Sequence, residues 1–71
     1  MKIPRYVKVK PGYFVEEDQV GLIYDTNKPF PNHLTHCKDY NWEEVLKDDA
    51  LNKHFEPVNP TNLIINDYQI Y

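Results

Sequence analysis

A chain of 71 residues with 41% apolar and 27% charged side chains has room for a single domain over residues 1-71 and is too rich in apolar and aromatic groups for a disordered tail. The lone Cys37 excludes an internal disulfide, and a net charge of −3 sets the overall field against nucleic acid. No apolar run approaches the roughly 18 residues of a bilayer-spanning helix, and Met1-Lys2-Ile3-Pro4-Arg5 lacks the apolar stretch of a secretory signal, so the expectation is a cytoplasmic protein with no membrane partner.

From Arg5 to Lys10 the residues alternate, Tyr6, Lys8 and Lys10 on one side and Val7 and Val9 on the other, which is the period of a half-buried strand. Pro11-Gly12 reads as the centre of a type II turn. Tyr13-Phe14-Val15 follows as a short strand or extended arm, and Glu16-Glu17-Asp18 as a solvent-exposed turn. Gln19 to Asp25 reads as strand, with Gly21 marking a bulge or a close backbone approach.

Thr26 to Tyr40 carries Pro29 and Pro31 and little periodicity, so it is expected to be a long ordered loop with a short strand at His33-Cys37, and Phe30 between its prolines to be either a plug of the core, the favoured reading, or an exposed anchor. Asn41 starts a helix because its side chain can accept from the free amides of the first turn, with Glu44 three residues on completing a capping-box pair. Glu43 and Glu44 suit the positive end of the helix dipole. Trp42, Val45 and Leu46 share one helical face, whereas Leu51 and Phe55 do not, so the helical region near residues 41-55 breaks into two segments, the second capped by Asp48 or Asp49. Pro57 and Pro60 force an extended connection. Leu63-Ile64-Ile65 and Tyr68-Gln69-Ile70-Tyr71 read as strand, either side of Asn66-Asp67.

Strands, a helical insert and strands again define an α+β domain: a small curled antiparallel sheet with one or two short helices over one opening. Through Val7-Lys8-Val9-Lys10-Pro11-Gly12 and Val20-Gly21-Leu22-Ile23-Tyr24, the first 25 residues resemble an SH3-type small barrel. A partial barrel of that type is what the resemblance implies about the fold; it implies nothing about function.

Six Tyr, three Phe and one Trp in so short a chain mean that rings replace aliphatic bulk in the core and leave some tyrosines at the surface, where they favour interfaces. His33, His36 and Cys37 with Asp39 or His54 could supply four zinc ligands, but the paired Cys-x-x-Cys spacing of structural zinc sites is absent, and no metal or other cofactor is expected. A Cys37–His pair lacks a glycine-rich turn for an oxyanion hole. Gly12 and Gly21 form no phosphate loop, so the protein is not expected to be an enzyme. Lys2, Arg5, Lys8 and Lys10 interleaved with Tyr6 and Tyr13 offer a face for single-stranded nucleic acid, opposed by the overall charge.

The reading that follows is a small non-enzymatic protein-binding module, an accessory or inhibitor of the kind a phage or mobile element encodes to block a host protein. Its contacts are expected from Tyr13, Tyr40 and Trp42, with Glu43, Glu44 and Asp48 as rim charges. The alternatives are a small oligomer that sequesters a small-molecule ligand at a subunit boundary lined by Tyr and His, and the single-stranded nucleic-acid binder built on the basic N-terminal strand.

Overall fold

The alternating run near the N-terminus forms strand β1, Tyr6–Val9, with Val7 and Val9 buried and Lys8 exposed. The computed structural model describes residues 3–35, 40–66 and 68–71. Two further strands, β2 (Ile23–Asp25) and β3 (Phe55–Pro57), flank β1 antiparallel in the order β2-β1-β3. Val7 faces Tyr24 on one side and Pro57 on the other, and Lys8 faces Ile23 and Glu56. The SH3-type expectation is met only as far as an antiparallel sheet with short helices, because this sheet is open and not closed into a barrel.

Helix α1, Trp42–Lys47, starts where the capping argument puts it: Asn41 Oδ1 accepts from the Glu44 amide at 2.7 Å. Asp48 then ends α1 and caps the next turn, its Oδ1 accepting from the Ala50 and Leu51 amides at 2.8 and 3.3 Å before a 3-10 turn at Asn52–His54. Alternation across the sheet sends Val7, Val9, Tyr24 and Phe55 into one core with Trp42, Val45 and Leu46 of α1. Phe14, Val15 and Leu34 complete it, and Phe30 packs against it as the expected plug.

Several expectations are corrected. Gly12 does not take the left-handed conformation of a type II turn; Gly21 does, at φ 90°. Residues 19–25 form a strand only at Ile23–Asp25, because Gln19 ends a 3-10 turn begun at Glu17, and Gly21, with open space around its Cα, reverses the chain instead of forming a bulge or close approach. The reversal is closed by the Gly21 amide on Val9 O at 2.8 Å and the Val9 amide on Leu22 O at 2.9 Å. Tyr13-Phe14-Val15 is a turn whose last residue makes a single bridge to Thr35. The remainder of the expected His33-Cys37 strand, with His36, Cys37 and Asp39, lies outside the described residues.

The largest correction is at residues 63–65, which belong to helix α2, Pro60–Asn66, and not to a strand. Asn59 Oδ1 accepts from the Thr61 amide at 2.9 Å, and Pro60 occupies the first helical position, where its missing N–H costs nothing. From Tyr68 onward only Ile70 is bridged, parallel to Ile23.

Candidate functional site

The aromatic residues form an almost continuous ladder through the molecule. Tyr13 packs edge-on to His54 at 5.5 Å between ring centroids, His54 lies 5.7 Å from Phe14, and Phe14 meets Tyr40 at 5.4 Å. Phe30 links Tyr40 to Trp42 at 6.5 and 4.7 Å, and Trp42 continues to Tyr24 at 6.1 Å and to Phe55 at 5.5 Å. Edge-to-face and tilted arrangements of this kind add to the area each ring buries. Together with Val7, Val9, Val15, Leu34, Val45 and Leu46 the rings fill the core.

The ladder surfaces beside a groove of about 670 Å³. Its lining combines apolar Ile3, Phe30 and Trp42 with charges of both signs, Glu43, Glu44 and Lys47 from α1 and Arg5 and Lys28 from elsewhere in the chain. Helix α1 positions the two acids because its cap at Asn41 turns Trp42 inward and leaves the next two positions outward. Lys47 one turn later binds Glu43 at 2.9 Å and, as the first cause, holds that carboxyl below its usual range. Arg5 is fixed by Asp25 at 3.1 and 3.4 Å, with its guanidinium 5.3 Å from the centroid of the Tyr6 ring. Burial pushes the Asp25 carboxyl up, but the Asn27 amide and the Arg5 guanidinium outweigh it and hold the group below the ordinary carboxylate range.

The residues singled out from the sequence divide into three places. Trp42, Glu43 and Glu44 meet at the groove, Trp42 as a core residue only 5% exposed whose indole N–H has no acceptor among the described residues. Tyr40 is half-buried in the middle of the ladder, and Tyr13, 73% exposed, stands at its far end beside His54. Asp48 lies at the other end of α1, where its carboxylate is engaged as a cap. Ile3, Arg5 and Lys28 were missed as groove residues, since only the tertiary fold brings the N-terminal segment and the 26–30 loop to the first turn of α1.

Of the proposed zinc set, His36, Cys37 and Asp39 lie outside the described residues. His54 is buried, its Nδ1 3.0 Å from Leu51 O, and His33 is exposed elsewhere; among the described residues no three His, Cys, Asp or Glu side chains group closely enough to hold a metal ion. The basic strip is offset by acids, Arg5 by Asp25 and Lys8 by Glu56 opposite it on β3, and Lys2 lies outside the described residues. Among the described residues no helix is long and apolar enough to cross a membrane. Comparison with models of protein families, with curated protein sequences and with solved structures found no match.

Proposed function

We propose that the chain is a small non-enzymatic protein-binding module that takes a segment of a protein partner into the groove along α1, and acts as an accessory or inhibitor by covering the surface it binds. The observation that carries this reading is the composition of the groove: Ile3, Phe30 and the edge of Trp42 lie among charges of both signs, Glu43, Glu44 and Lys47 from α1 and Arg5 and Lys28 from the N-terminal segment and the 26–30 loop. Apolar anchors inside a charged rim are the anatomy of protein interfaces, and charges of both signs at a rim orient an entering chain as well as attract it.

The test is a comparison of charge reversals. The tagged wild-type chain, Glu44→Lys and Glu17→Lys are each used to recover partners from the native host's lysate; the two variants change the net charge equally, one in the groove and one in the exposed 3-10 turn away from it. A stoichiometric partner held by the wild type and by Glu17→Lys but lost with Glu44→Lys is the expected result. A partner retained by Glu44→Lys, or none with any bait, would sink the reading.

A further inference from the structure

The two outer edges of the sheet are finished in different ways. On β3 the ladder turns Glu56 toward β1 and leaves Phe55 and Pro57 facing outward. Pro57 has no N–H, and the Phe55 amide is already bonded to Asn52 O, so that edge offers acceptors and no donor to another strand. On β2 the outward groups are complete: Ile23 offers its carbonyl and Asp25 its amide. Both are taken by one residue of the same chain, Tyr71, whose N–H bonds Ile23 O at 2.8 Å and whose carbonyl accepts from the Asp25 amide at 3.2 Å.

The Tyr71 ring lies 5.8 Å from Tyr24 and forms one side of a cleft of about 220 Å³, walled by Pro29, Pro31 and His33. Tyr71 remains 43% exposed, and its two main-chain bonds are accompanied by an isolated bridge of Ile70 to Ile23. A main-chain donor and acceptor beside an aromatic- and proline-lined cleft is the arrangement by which a sheet edge recognises an extended peptide, main chain for affinity and side chain for specificity.

We propose that the β2 edge, with this cleft beside it, forms a strand-accepting site for an extended protein segment that carries an aromatic residue and runs parallel to β2, and that residues 68–71 occupy the edge in cis as a displaceable strap. The occupant's chemistry is read from the strap, which shows the polarity, the two main-chain bonds and the ring that fit. This inference does not rest on the groove along α1; the two sites share Lys28 and Pro29 as a common wall but use different surfaces.

A blocked synthetic peptide of residues 65–71 tests it by titration into the full chain, followed through backbone amide resonances. In Tyr71→Pro the N–H that bonds Ile23 O is gone, and proline favours an extended residue before it, so the strap is weakened without disturbing the core. The peptide is expected to bind this variant at least ten-fold more tightly than the wild type, whose own strap competes, with the Tyr24 and Asp25 amides moving most. Equal affinity for the two chains, no saturable binding to the folded variant, or movement confined to other residues overturns the proposal. Should Tyr71→Pro fail to fold, Tyr71→Ala, which keeps the amide and removes the ring, carries the same comparison with the same outcomes.

Discussion

The imidazole of His54 stands in the way of any side chain on residue 12: a Cβ built on Gly12 clashes with the Cδ2 and Nε2 edge of the ring. His54 cannot easily yield, being 2% exposed, tied through Nδ1 to Leu51 O and packed between Tyr13 and Phe14. Gly12→Ala is therefore expected to cost about 1–3 kcal/mol as overpacking, although the backbone at residue 12 has no positive φ. In thermal unfolding that is a fall of roughly 4–8 °C for each kcal/mol in a domain of this size. The double variant Gly12→Ala/His54→Ala is expected to lose less than the sum of its single variants, since removal of the ring vacates the space; strict additivity would contradict the steric account.

The two caps divide the helical region as separate contributions. Asn41→Ala removes the acceptor for the Glu44 amide, and Asp48→Ala removes the acceptor for the Ala50 and Leu51 amides. Each is expected to cost about 1 kcal/mol, measured as a shift in the urea midpoint without a change in slope.

Trp42 touches Tyr24, Phe30 and Phe55, so Trp42→Ala opens a cavity at the centre of the ladder. A cost of about 3–5 kcal/mol is expected, comparable with the whole stability of many small domains. Trp42→Phe keeps a ring there and deletes the indole N–H that lacks an acceptor among the described residues, so it is expected to cost far less. Equal losses for the two variants in denaturant titrations would contradict this.

Asp25 contributes to the acid limb of stability. Its carboxyl is held below the ordinary range in the folded chain, so it contributes stability that is present above its unfolded value, about 3.9, and is lost as pH falls through the folded value. Wild-type stability is expected to decline below about pH 4 more steeply than that of Asp25→Asn, which has no such proton to take up. Denaturant titrations of both chains at neutral pH and near pH 3 check this through the difference between their slopes with pH.

Local chemistry was legible in the sequence wherever it decided the outcome. Val7 and Val9 announce β1 by alternation, Asn41 and Asp48 announce their caps, and Phe30 between prolines announces the plug. Where local signals conflicted, a stronger local signal or tertiary pairing decided. Leu63-Ile64-Ile65 has a strand-like composition, but Asn59-Pro60 supplies a cap and a first helical residue, and α2 forms. Phe55–Pro57 is short, contains proline and follows a helical stretch, and becomes a strand only because β1 is there to pair with it. The candidate site was half legible for the same reason: Trp42, Glu43 and Glu44 follow from α1, whereas Ile3, Arg5 and Lys28 come to the groove from distant segments.

The central claim, that the groove along α1 receives a protein partner, is tested most directly by a photo-crosslinking amino acid placed at position 44 and, separately, at position 17, with both chains illuminated in the native host's extract. The account predicts one discrete covalent adduct from position 44 and none from position 17. Adducts from position 17 alone, or from neither position, would contradict it.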